Sequence, residues 1–220
     1  MSIVPVFLEV GSKRIFASAA DWPGWCRSGK DEAAALAALA AASPRYAAVV
    51  ERAGLAFRPA AAEDFRVLER LPGSATTDFG APGAIAEAEM QPLTPAGARR
   101  MESLLRACWK TFDEVVRGAP AELRKGPRGG GRDRDQIASH VFDAEGAYAS
   151  KIGVRLKPPV AGDGAAIARW RDALVSGLRG SPETPGAAGG KRWPAAYAAR
   201  RIAWHALDHA WEIEDRTPES

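Results

Sequence analysis

Histidine is scarce in this 220-residue chain, which has three. Cysteine is scarcer, with two, Cys26 and Cys108, far apart in the sequence. Two distant cysteines do not make a disulfide scaffold, so both are expected to be reduced thiols in a cytoplasmic protein. No apolar stretch reaches the roughly 20 residues that span a bilayer, so no membrane partner is expected. The opening run Met1-Ser2-Ile3-Val4-Pro5-Val6-Phe7 lacks the basic start and apolar core of a secretory signal. The net charge is only +3 and the basic residues are scattered, which leaves no electrostatic footprint for nucleic acid. The glycine-rich loop at 125–133 is followed by no Gly-Lys-Ser/Thr, so it is not a phosphate-binding Walker loop.

What is present describes an ordinary globular chain. Apolar residues make up 46% and charged residues 26%, and the length suffices for one large or two small domains. Val4, Val6, Leu8 and Val10 alternate, Gly11-Ser12 signals a turn, and residues 13–20 are expected to form a return strand. The stretch Asp21-Trp22-Pro23-Gly24-Trp25-Cys26 reads as irregular, because Pro-Gly interrupts it. Asp31-Glu32 then opens an Ala/Leu-rich helix with acidic residues where the helix dipole favours them. Pro44 starts a second helix, and residues 65–71 read as a strand stopped by Pro72-Gly73.

After that the periodicity changes. Residues 76–93 are rich in Gly, Ala and Pro and read as a linker or an ordered connection. Thr94-Pro95 is a helix start. Met101, Leu104, Leu105, Cys108, Trp109, Phe112, Val115 and Val116 follow at three- and four-residue steps and form an apolar stripe. Similar stripes predict a second helix through Ile137, His140, Val141, Ala144, Tyr148 and Ile152, and a third over about 165–178. A fourth opens at Trp193-Pro194 and continues through Tyr197, Ile202, His205, His209 and Glu212. The expectation is an α+β protein: a small α/β unit over 1–75, a connection over 76–93, and a four-helix bundle over 94–220.

The three histidines fall within that second half. His205 and His209 stand four apart, which on a helix places both imidazoles on one face, about 6 Å apart along the axis. His140 lies on the inward stripe of another helix. Two such helices side by side bring three imidazoles to one point and leave a fourth position open, as in catalytic metal sites. Imidazole suits zinc, nickel, copper and iron, so the residues alone do not choose the ion. The zinc-protease pattern His-Glu-x-x-His is absent, because Ala206 stands where the glutamate would be.

His140-Val141-Phe142-Asp143-Ala144-Glu145 together with His205 and His209 resembles the DinB/YfiT-like metalloenzyme superfamily, over roughly 94–216. That resemblance implies a four-helix bundle with a longer crossover and one divalent metal, zinc or nickel, on His140, His205 and His209. It also implies thiol-dependent transferase or isomerase chemistry, or hydrolysis, on a small-molecule substrate, with a low-molecular-weight thiol such as mycothiol or bacillithiol as cofactor. A shorter likeness covers the first fifty residues. The run Asp21-Trp22-Pro23-Gly24-Trp25-Cys26-Arg27-Ser28-Gly29-Lys30-Asp31-Glu32 resembles the start of HicB-like domains, read here as a module that packs or forms a homodimer.

Glu145 and Asp208 are the carboxylates expected to act as acid or base beside the metal, with Asp143 and Glu212 read as solvated or ion-paired. Arg128 and Arg132, in the glycine-rich loop about two turns before His140, are candidates for holding a substrate carboxylate. Tyr148 and Tyr197 are expected to line the pocket, and Arg201, one turn before His205, to meet an anionic group. Two other functions stay open on these residues: a non-catalytic metal-binding module, and an interaction protein of toxin–antitoxin type.

Overall fold

A computed structural model describes residues 3–126, 130–180 and 192–218. Strand β1 (Val4–Val10) turns at Gly11, whose amide donates to the carbonyl of Arg14, into antiparallel β2 (Ile15–Ala19). Strand β3 (Cys26–Gly29) pairs antiparallel with β2. The chain then leaves the sheet through α1 (Glu32–Ala41) and α2 (Ser43–Arg52) and returns as β4 (Phe65–Pro72), parallel to β1. The sheet order is β3-β2-β1-β4. Beyond it lie a short helix α3 (Ala75–Phe79), a 3-10 turn at Glu87–Met90, and the long helices α4 (Pro95–Gly118), α5 (Arg134–Lys151), α6 (Gly164–Arg179) and α7 (Ala195–Arg216). The protein is therefore mixed α+β. No single helix among the described residues is long and apolar enough to cross a membrane.

Local chemistry accounts for most of these boundaries. Asp31 caps α1 by accepting from the amide of Ala34 at 2.8 Å, and Thr94 caps α4 by accepting from Gly97 at 3.0 Å. The apolar stripe of α4 buries Leu104, Leu105, Cys108, Trp109 and Phe112. Strand β3 occupies the end of a stretch that Pro23-Gly24 makes look irregular. The turn is real, but it delivers Cys26 beside Ser18, whose hydroxyl donates to the thiol at 3.1 Å. Gly24 sits at φ +95°, and a Cβ there would come within 2.9 Å of Leu207 and 3.2 Å of the sulfur of Cys108. The turn is thus wedged between α4 and α7, and only glycine fits both its backbone and its space.

The sheet is covered on both faces. Val6, Leu8, Ala17 and Ala19 share one hydrophobic cluster with residues of α1, α2, α4, α5, α6 and α7. On the other face Phe7 packs with Leu71 and Ala86, and Phe16 and Cys26 pack with Trp204 of α7. Residues 76–93 make this second face possible and are an ordered connection. Glu9, buried in β1, accepts from the hydroxyl of Thr77 and from the amides of Gly83 and Ala84 at 2.9 Å each. From α7, Tyr197 donates to the carbonyl of Gly83 at 2.9 Å and Arg200 to that of Ala84 at 2.7 Å. Arg200 also meets Glu89 through two hydrogen bonds, at 2.5 and 3.0 Å, with both side chains under a tenth exposed.

This buried pair predicts a measurable cost. Glu89→Ala leaves the Arg200 guanidinium buried without its carboxylate and is expected to destabilise the protein by about 3–5 kcal/mol. Denaturant unfolding checks it, and a change under about 1 kcal/mol would mean that water or a second acid replaces Glu89.

Candidate metal centre

Helix α7 is buried on nearly every side, from Tyr197 to Ile213. It packs against α4 and α5, and α5 carries His140. His205 is 6% exposed, the side chain of His209 is 12% exposed, and His140 is half-buried. One ring nitrogen from each of His140, His205 and His209 lies within 4.8 Å of the other two. The ring centroids are 4.6 to 5.1 Å apart, with planes steeply inclined at 63° to 89°. Rings in edge-to-face array do not stack; they turn nitrogens toward a shared space.

The donors suit a metal on three counts. First, a tetrahedral ion about 2.1 Å from each nitrogen needs donors about 3.4 Å apart, so small side-chain rotations close the cluster. Second, burial holds His205 well below the usual histidine pKa, and the neighbouring His209 and His140 push the same way. Burial likewise lowers His140, with help from His209 and Arg132. Both imidazoles are therefore neutral at neutral pH, the state in which they ligate. Third, Nδ1 of His205 is buried with no hydrogen-bond partner, as expected of an atom whose partner is not protein.

The carboxylate that orients a histidine of the cluster is Glu212. It accepts from Nδ1 of His209 at 2.7 Å and from Arg216 at 2.7 Å. The hydrogen bond from His209 depresses its pKa against the opposing effect of burial. With Nδ1 engaged, Nε2 of His209 is left to face the cluster. Neither carboxylate expected to do this work is in that position. Glu145 is fully buried and accepts from the indole N–H groups of Trp109 at 2.6 Å and Trp170 at 3.0 Å. Burial raises its pKa, opposed by Arg171. Asp208 turns away to Arg27 of β3 at 2.9 Å. At about 100° per residue, Glu212 lies about 60° around the helix from His209 and Glu145 about 140° from His140; Asp208 lies as close to His205 as Glu212 does to His209, but Arg27 takes it up.

The other expected residues are divided. Tyr148 packs its ring edge-on against His205 at 5.9 Å. Arg201 donates to the Tyr148 hydroxyl at 3.2 Å and lies 5.0 Å over the ring of Trp204. Arg132 lines a shallow open groove with His140, Ser139 and Asp143. Tyr197 is tied to Gly83 and packs against Trp193, with no ring contact to a histidine. Asp143 is exposed on α5. Arg128 lies outside the described residues. Trp204 packs with Tyr148 against both Arg201 and His205, and Trp193 packs behind Tyr148.

Compared with family models, curated proteins and solved structures, the chain matches none.

The lowered histidine pKa values fix a pH dependence for metal-free protein. Below the ordinary value of 6.5 the unfolded chain takes up protons that folded His205 and His140 refuse. Stability is therefore lost as pH falls from 6.5 toward the folded values. Thermal melts at about pH 7.5 and about pH 5.5 are expected to show this fall, and a smaller one in His205→Asn. Equal falls in both proteins would contradict it.

Proposed function

We propose that the chain is a divalent-metal-binding protein of DinB-like type. In this reading α4 to α7 are its four-helix bundle, and the sheet with α1 and α2 is a HicB-like module. The observation that carries the proposal is the convergence of three imidazole nitrogens within 4.8 Å from α5 and α7. His140, His205 and His209 would hold zinc or nickel, both suited to imidazole. No cysteine or carboxylate joins the cluster among the described residues. Glu212 is taken up by His209 and Arg216, and Asp208 by Arg27, so neither closes the shell.

An open position favours an enzyme over a purely structural site. The ion would acidify a bound thiol or water, or polarise a carbonyl. The chain's own residues would do the rest. Glu212 fixes the tautomer and direction of His209. Tyr148, backed by Trp193, and Trp204 exclude water on one side of His205. His140 and Arg132 face the open groove, through which a small molecule would reach the site. The reading is a metal-dependent transferase, isomerase or hydrolase that uses a low-molecular-weight thiol.

Two measurements test this. Purified protein is expected to hold about one divalent ion per chain. His205→Ala and His209→Ala are expected to lose it, and Glu212→Gln to bind it about 10–100-fold more weakly. Stoichiometric metal in the double histidine variant would refute the site. Fully loaded protein is then assayed with a low-molecular-weight thiol and a small electrophile. Absence of turnover at full occupancy would assign the ion a structural role.

A further inference from the structure

Three arginines among the described residues are less than a tenth exposed: Arg171, Arg200 and Arg201. Arg171 is clamped by both oxygens of Asp113, at 2.5 and 2.8 Å, and Arg200 by both oxygens of Glu89. Among the described residues Arg201 has no carboxylate in contact. Its terminal nitrogens donate to the carbonyl of Pro82 at 2.6 Å and to the hydroxyl of Tyr148 at 3.2 Å. Among the described residues its Nε–H is buried with no partner, as are one N–H of Arg171 and one of Arg200, so the missing carboxylate is what sets Arg201 apart. Glu9, held by the same 82–84 segment, is committed to Thr77 and to the amides of Gly83 and Ala84. A guanidinium stays charged at any pH a protein survives, so a buried one without a counter-ion costs several kcal/mol.

A second orphan lies beside it. The indole N–H of Trp204 is also buried without a partner. Arg201 and Trp204 are three apart on α7, and the guanidinium carbon is 5.0 Å from the indole ring. His205 is the next residue, and Tyr148 touches both His205 and Arg201. Two unanswered N–H donors and one unanswered positive charge therefore adjoin the three-histidine cluster. Tyr148 is itself partly exposed, which leaves the guanidinium one side chain from solvent.

We propose that Arg201 and the indole N–H of Trp204 anchor a carboxylate of the small molecule handled at the three-histidine site. The proposal rests on the reading of that cluster as a functional site, and it names the substrate or cofactor as a carboxylic acid. A carboxylate supplies what is missing: one negative charge and acceptors for two N–H groups. A divalent ion on neutral histidines adds positive charge to the same place, which strengthens the preference for an anion.

Formate is the probe, being the smallest carboxylate, and chloride at equal ionic strength is the control. In chelator-treated, metal-free wild-type protein, saturating formate is expected to raise the melting temperature by about 2–4 °C over chloride. Arg201→Met is expected to lose the difference, Trp204→Phe to show about half of it or less, and Arg201→Lys to keep part of it. Absence of a formate effect in wild type would mean the donors are met by water only, and the proposal fails. An effect of equal size in Arg201→Met would place the anion elsewhere and also overturns it. Should Arg201→Met not fold, the comparison of Trp204→Phe with wild type decides, an undiminished effect counting against the proposal. Because this comparison is made without metal, it stands apart from failure of the metal reading, which shows as lack of bound ion.

Discussion

A helix buried on nearly all sides can carry polar side chains only if each polar atom finds a partner, and α7 carries two arginines and two histidines in its buried stretch. Much of the architecture follows from meeting that requirement. The segment between β4 and α4 folds back over the sheet and supplies Glu89 and the carbonyls of Pro82, Gly83 and Ala84 to α7. Glu9 in β1 pins the same segment from the other side. Apolar burial then follows, with Trp204 against Phe16 and Phe7 under the guanidinium of Arg200. The order of causes matters, because a buried charge left alone costs more than a packed methylene gains.

The same requirement, only partly met around Arg201 to His205 of α7, leaves chemistry available there. His209 is answered by Glu212, but Nδ1 of His205, the indole of Trp204 and Nε of Arg201 are not. Burial that leaves polar atoms unpaired is unfavourable in an apo protein and is characteristic of sites whose partner comes from outside. Neutral imidazoles held by burial next to one permanent cation have the chemistry that the proposed metal ion and anion require.

Much of this was legible in the residue pattern. The apolar stripe and Thr94-Pro95 signal mark α4 at its observed bounds, and Pro72-Gly73 ends β4 as read. His205 and His209 at four-residue spacing mark the histidine cluster, because helix geometry converts spacing directly into a shared face. Strand β3 was hidden, since four residues behind a Pro-Gly turn show no alternation. The covering of the sheet's second face was hidden too, because nothing local in residues 76–93 announces Glu89 as the partner of a residue more than a hundred positions away. Glu145, five residues after His140, points away from it on the helix, while Asp208, three after His205, has the right spacing but is taken by Arg27 from the sheet, a partner that no local pattern announces. Glu212, three residues after His209, has the same spacing and keeps its histidine.

The most direct test of the central claim is anomalous diffraction from crystals of cobalt- or zinc-loaded protein at the absorption edge of the ion. The account predicts one strong peak per chain, about 2.1 Å from one nitrogen each of His140, His205 and His209. It also predicts that the Glu212–His209 hydrogen bond persists and that no fourth protein ligand is present. A peak elsewhere, or none at the cluster under saturating metal, would contradict it.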